Sequence, residues 1–274
     1  MTESELIARV LEGLGLRAAA FIVTVYGDVV VPRGGVLWTG TLIEVCDRVG
    51  INESLVRTAV SRLVAMDRLA GERVGRRSYY RLDASARREF DQAAGLLYGA
   101  ERPARGWQIL HAPGLGLEAA RRERMGHMGG EVYLRPDRGQ PVPEGALLFA
   151  AGDPGDLAAL AGFWDLTALQ ARYRDMLERF GAVAQAGALS DAAALVLRLL
   201  LVHAYRGVLL RDPRLPAPAL PADWQGHAAR RLFGDLYARL SPGAERWIGA
   251  HFEGVDGLLP ETTPESAARL ASLS

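Results

Sequence analysis

The sequence predicts an α+β chain of more than one domain, on three observations. Its 274 residues exceed what one typical domain core organises. Two helical patterns joined by a glycine and followed by a basic hairpin stand near the N-terminus, between Trp38 and Leu82. After about residue 100 the texture changes from helical periodicity to short β-compatible runs, and from Thr167 to about Phe252 it returns to helix.

In chain order, the first 15 or so residues read as a weak peripheral helix, and helical patterns run from Arg17 onward. "DASARREFDQAAGLLYG" reads as a connecting helix with Asp83 or Ser85 as N-cap. "GWQILHA", "EVYLRP" and "GALLFAAG" are strand-like, separated by an arginine-rich helical segment from Glu118 to Met125 and a Gly/Pro loop. A helix capped at Asp153 follows, giving a βαββα order with a sheet covered on one side. The long helical stretch is broken by the proline-rich "RDPRLPAPALPADWQG", and the tail from Gly254 onward reads as a loop and frayed terminus.

Composition narrows the class. Just under half the residues are hydrophobic, enough for a sizeable core, and the formal net charge is zero. All 32 basic residues are arginine, a usage attributed to coding bias. The lone Cys46 excludes an internal disulfide framework and fits a reducing compartment. No signal peptide opens the chain and no uninterrupted apolar run reaches the ~18 residues of a membrane span, so a cytoplasmic protein without membrane partners is expected.

The informative stretch is "INESLVRTAVSRLVAMDRL", Ile51 to Leu69. At ~100° per residue, Leu55, Val56, Ala59, Val60, Leu63, Val64 and Met66 fall on one arc. Ser54, Arg57, Thr58, Ser61, Arg62 and Ala65 fall on the other, and Asn52 stands at the N-cap position. The polar arc carries short hydroxyls and two arginines, with no carboxylate between Glu53 and Asp67. Such a face suits phosphates and the guanine edge in a major groove. The hairpin that follows bears Arg73, Arg76 and Arg77. From Ile51 to Arg88, nine arginines against four carboxylates leave a net of +5, so the rest of this neutral chain carries −5. Helix, turn, helix and basic hairpin is the winged-helix order, which predicts a double-stranded DNA partner. A solvated surface face, or a winged helix that docks on protein, is the alternative.

"VYGDVVVPRGGVLWTGTLI", "INESLVRTAVSRLV" and "ERVGRRSYYRL", with "LVHAYRGVLLRDPRLPAPALPADWQGHAARRLFGDLY" far downstream, resemble the PaaX family of phenylacetyl-CoA-responsive repressors. The likeness spans roughly residues 20 to 240 and departs from the usual pattern at Gly207 and Gln225. It implies a winged-helix domain over residues 1–84, a connecting helix over 85–100, a ferredoxin-like (Cas2-like) α+β domain over 101–170 and a helical domain over 171–274. It also implies a homodimer on a palindromic operator, released by an aryl-acetyl-CoA effector; from the residues themselves no cofactor and no catalysis are expected. Expected DNA contacts are Ser54, Arg57, Thr58, Ser61, Arg62, Arg73, Arg76 and Arg77.

Within the downstream motif two accounts stay open. Arg206 and Arg211 would meet coenzyme A phosphates, with His203, Tyr205 and Trp224 lining the acyl end. Alternatively these groups tie helices together, with Arg211 and Asp212 as a structural pair. Other chemistry is poorly supported. Gly114, Gly116 and Ala119 mimic a dinucleotide fingerprint, with Asp137 beyond, but lack strands for a parallel sheet. A Cas2-like nuclease needs strand-end carboxylates where "GWQILHA" offers only His111. The five scattered histidines suggest no metal site. A CoA-ester-binding enzyme is the remaining alternative.

Overall fold

The computed structural model describes residues 1–273 as a mixture of helix and sheet. Its contacts define two compact units, neither continuous in sequence. The first comprises residues 1–100, 176–206 and 230–274; the second comprises 101–175 and 207–229. Residues expected as a separate C-terminal helical domain are thus divided, and most join the N-terminal hundred.

In the first unit, α1 (Glu3–Leu11) opens on a capping box in which Thr2 and Glu5 satisfy each other's backbone. It is less peripheral than expected, because Leu6 and Val10 are buried. The apolar α2 (Ala18–Val25) continues into a π-helical turn, Tyr26–Val30, and a 3-10 turn, Val31–Arg33. β1 (Val36–Trp38), α3 (Thr39–Asp47) and α4 (Glu53–Ala65) follow. Gly50, at φ +80°, supplies the left-handed turn between α3 and α4. The Asn52 side chain then accepts from the Leu55 amide at 3.0 Å, the expected N-cap.

β2 (Leu69–Val74) and β3 (Arg77–Leu82) form an antiparallel hairpin, and the sheet order is β1-β3-β2. α5 (Arg87–Leu97) is preceded by a short turn that Asp83 caps through the Ser85 amide.

The tail is ordered, against expectation. A small hairpin, β8 (Glu253–Gly254) with β9 (Gly257–Leu258), leads to α10 (Pro264–Ala271). Thr263 and Ser266 cap α10 reciprocally, and Arg269 is buried with bonds to the Gly27 carbonyl and Glu265. A short helix this well capped and anchored has no reason to fray.

Why the C-terminal helices belong with the N-terminal hundred residues is visible at Asp28. Within the π turn its carboxylate accepts from the Tyr98 hydroxyl at 2.8 Å and the Tyr237 hydroxyl at 2.9 Å. It also pairs with Arg198 Nε at 3.1 Å. Arg198 sits in α8 (Asp191–Leu209) and meets Glu245 of α9 (Gly226–His251) at 2.6 Å; Glu245 in turn bonds Arg33. Burial opposes the Arg198 charge, but Asp28, Tyr237 and Glu245 outweigh it, and the guanidinium is held firmly protonated. Among the described residues, Asp28 Oδ2 and the Nε and Nη2 of Arg198 make no hydrogen bond, so the ion pairs with Asp28 and Glu245 carry the burial of this cation.

α8 is long and apolar enough to cross a membrane by composition, yet 72% of its apolar window is buried within the protein. It is therefore a core helix here. Cys46, also buried, is a free thiol whose pKa burial pushes up to about 12.

The second unit holds a four-stranded sheet: β4 (Trp107–His111), β5 (Gly126–Gly129), β6 (Val132–Pro136) and β7 (Leu147–Ala151). The order is β5-β6-β4-β7, with neighbours antiparallel. α6 (Leu117–Arg122) covers one face through Ala120, packed with Leu110, Ala112, Met125 and Tyr133.

Two expectations need correction. β5 was not foreseen, because Gly126, His127, Met128 and Gly129 lack β-branched character. The helix expected from Asp153 is a 3-10 segment, Ala158–Phe163, whose first amides bond Asp156. Asp153 instead accepts from Trp107 Nε1 at 3.1 Å. The antiparallel sheet also removes the dinucleotide reading of Gly114, Gly116 and Ala119, which needs adjacent parallel strands. α7 (Leu166–Ala184) carries Tyr173, whose hydroxyl bonds Asp212 at 2.5 Å.

Candidate nucleic-acid interface

α4 turns Val56, Ala59, Val60 and Leu63 into the core, against α2 and α3. Ser54, Arg57, Thr58, Ser61 and Arg62 are exposed along its opposite face. The buried arc is narrower than the periodicity indicates. Leu55, Val64 and Met66 were expected inside, but they are 51%, 36% and 64% exposed. They lie at the edges of the apolar arc, and the two covering helices do not reach that far.

Electrostatically the face is not free of acid. Glu53, one turn before, bonds the Arg57 guanidinium at 2.7–2.8 Å. Arg57 is nonetheless 62% exposed at its side chain, so this i,i+4 pair is worth a few tenths of a kcal/mol and yields readily to a stronger anion. Arg62 has no ion pair among the described residues. Between α4 and the hairpin lies a groove of about 370 Å³, lined by Thr39, Arg57, Val60, Ser61, Val64, Gly71 and Tyr80. Gly71 belongs here for a steric reason: a Cβ would stand 2.9 Å from the Tyr80 ring. The Thr39 hydroxyl donates to the Ser78 carbonyl at 2.6 Å and pins α3 to the sheet.

The hairpin presents its arginines unequally. Its tip is Gly75-Arg76, with Gly75 at φ +62°. Arg76 is exposed and has no ion pair among the described residues. Arg73 donates back to the Gly75 carbonyl at 3.2 Å, which stiffens the tip. Arg77, expected as a free phosphate contact, is instead bonded to Glu253 and lies 4.5 Å over the Trp38 ring. Bonding to Tyr79 and Glu253 raises its pKa.

The six residues expected at an effector site do not form one cluster within either unit. His203, Tyr205 and Arg206 belong to the first unit. His203 Nδ1 meets Thr24 Oγ1 at 3.0 Å, and burial with the Arg206 charge nearby lowers its pKa to about 4. Tyr205 is buried and stacked on Phe233, with ring centroids 4.4 Å apart. Arg206 donates to the Ala20 carbonyl at 3.4 Å while its buried Nε finds no partner.

Arg211, Asp212 and Trp224 belong to the second unit. The expected Arg211–Asp212 pair is absent from the described residues. Arg211 is exposed, whereas the Asp212 carboxylate accepts from Tyr173 and from the Arg214 amide at 2.6 Å. The short chain path between adjacent side chains loses to a buried hydroxyl and a turn amide. Burial raises the Asp212 pKa despite those bonds. Trp224 packs edge-on against Tyr173. Among the described residues no group of three or more metal-binding side chains occurs.

Sequence reasoning missed two groups that shape the interface. Glu253 fixes Arg77, and Thr41 accepts from the Glu253 amide at 3.4 Å. Leu55 stands exposed in the first turn of α4, beside the polar stripe. A charge scan confined to residues 51–88 could not find Glu253, which is 176 positions from its partner.

An exposed helix with arginine and hydroxyls, one turn after a glycine-linked partner and beside a basic hairpin, is the arrangement of a nucleic-acid-binding regulator. Comparison with known proteins narrows the class. The family described as PaaX-like protein matches residues 17–86, and the PaaX-like protein C-terminal domain matches residues 164–250. The transcriptional repressor PaaX of Escherichia coli (strain K12) is 30% identical over 93% of this chain and 90% of its own. The chain belongs to the PaaX-like family. Among solved structures, the uncharacterized protein Rv0674 from Mycobacterium tuberculosis matches with a TM-score of 0.48 and 24% identity, over 74% of this chain and 88% of that one.

Proposed function

We propose that the protein is a DNA-binding transcriptional repressor that acts as a homodimer and is released from its operator by an aryl-acetyl-CoA thioester. The observation that carries the reading is the exposed stripe Ser54, Arg57, Thr58, Ser61 and Arg62 on the helix after a glycine turn, within a chain whose bacterial relative is a repressor. We read residues 1–84 as a winged helix: α4 enters the major groove, and Arg73 and Arg76 at the hairpin tip meet the adjacent backbone. Arg77 joins them when Glu253 lets it go. We read the β5-β6-β4-β7 sheet as the split β-α-β of a ferredoxin-like domain in which a loop replaces the second helix.

The effector assignment rests on the downstream motif's resemblance to the family and on its arginines, which suit phosphate. In thermodynamic terms the thioester binds the two dimer arrangements unequally and so shifts operator affinity. Thermal shift with phenylacetyl-CoA, phenylacetate and coenzyme A tests it, because a ligand of the folded state raises Tm with concentration. The thioester alone stabilising the protein, and releasing a bound duplex at the same concentrations, is the expected result. No stabilisation by any thioester overturns the effector reading and leaves DNA binding to its own test.

A further inference from the structure

On the solvent face of α4, one large side chain does not fit phosphate recognition. Leu55 is 51% exposed in the first helical turn, the part of such a helix that reaches base edges. It shares a flank with Thr58 and Arg62, three and seven residues on, while Arg57 and Ser61 line the groove on the other flank. Its backbone amide is committed to the Asn52 cap, which fixes the turn and so the direction of the side chain. A phosphate offers nothing to a leucine. The apolar group that a major groove presents is the thymine C5-methyl.

We propose that Leu55, with the Thr58 methyl beside it, is a specificity-determining residue that selects thymine in the operator by packing on its C5-methyl. This deepens the repressor reading and rests on it. Met66, although more exposed, lies at the far end of the helix, and Val64 faces the groove beside the hairpin, so neither shares this role. Arg62 on the same flank supplies the polar half of the readout, since arginine pairs with a guanine edge.

The test begins with duplexes retained by the full chain from a random library. Each thymine of the enriched duplex is then replaced by uracil, which removes only the methyl, and Kd is read by fluorescence anisotropy. At one thymine position, repeated by symmetry, uracil should weaken the native protein about fourfold, the value of one buried methyl. Leu55→Ala should narrow the thymine–uracil difference to less than about twofold, the remainder belonging to the Thr58 methyl, whereas Leu55→Met should keep it near fourfold. Leu55 is half exposed, so the variants should melt near the native temperature. Insensitivity of the native protein to every methyl, or a preference of about twofold or more that survives in Leu55→Ala, overturns the proposal alone. Failure to enrich any duplex overturns the repressor reading as well.

Discussion

Arg77 of the hairpin is bonded to Glu253, which follows directly on the C-terminal end of α9 and the buried Phe252. The arginine that the sequence offers to DNA is thus held by a carboxylate of the C-terminal hairpin and stacked on Trp38. On the proposed function, Glu253 would compete with phosphate for this guanidinium. Replacing Glu253 with Gln should tighten duplex binding and steepen its salt dependence by about one counterion. Anisotropy titrations between 50 and 200 mM salt would read this; an unchanged slope means Arg77 stays away from the backbone.

The Asp28–Arg198–Glu245–Arg33 network should dominate the stability of the first unit. Arg198→Met removes the central cation, leaving the buried Asp28 carboxylate with only two tyrosine hydroxyls and Glu245 with only Arg33. Breaking such a pair typically costs about 3–5 kcal/mol. Urea denaturation should show that loss as a lower midpoint with a similar slope; a change under 1 kcal/mol would mean the hydroxyls of Tyr98 and Tyr237 suffice.

His203 gives the protein an acid sensitivity. Its pKa of about 4 lies below the unfolded value near 6.5, so the unfolded state binds the extra proton first. Stability from this group is therefore complete above about pH 6.5 and is lost as pH falls toward 4, by about 3 kcal/mol at most. His203→Gln keeps a partner for Thr24 and cannot titrate. Its denaturation midpoint should fall less steeply than the native protein's between pH 6.5 and 4; equal slopes would assign the acid loss elsewhere.

The N-cap of α4 gives a local test of the reading helix. Asn52→Ala removes the acceptor for the Leu55 amide and should cost about 1 kcal/mol, seen as a lower Tm. Operator affinity should fall further than stability alone accounts for, because the first turn carries Ser54, Leu55 and Arg57. Equal Tm values for the two proteins would contradict the capping role.

Local pattern made α4 legible in the sequence: an Asn cap, a 3.6-residue apolar period and a glycine turn all lie within 20 residues. The hairpin was legible through its turn chemistry; of the two cap candidates, Asp83 caps the 3-10 turn before α5, while α5 itself starts after Ala86 with no side-chain cap. What stayed hidden depends on distant partners. How wide a stripe α4 buries is decided by α2 and α3, which is why Leu55, Val64 and Met66 were misplaced. Asp28 reads as an acid in an apolar run until Arg198 arrives, 170 positions later, to make its burial tolerable. β5 is glycine-rich, and its pairing with β6 alone makes it a strand.

On the proposed function, α4 reads DNA sequence through Arg57 and Arg62. The most direct measurement compares the native chain with the Arg57→Ala/Arg62→Ala double variant on a library-selected duplex and on a scrambled duplex at 150 mM salt. The native chain should prefer the selected duplex by about a thousandfold or more. The double variant should lose about 1–3 kcal/mol for each side chain on that duplex, while its affinity for the scrambled one changes much less. A native chain that binds both duplexes alike, or a variant that keeps the full preference, would contradict the account.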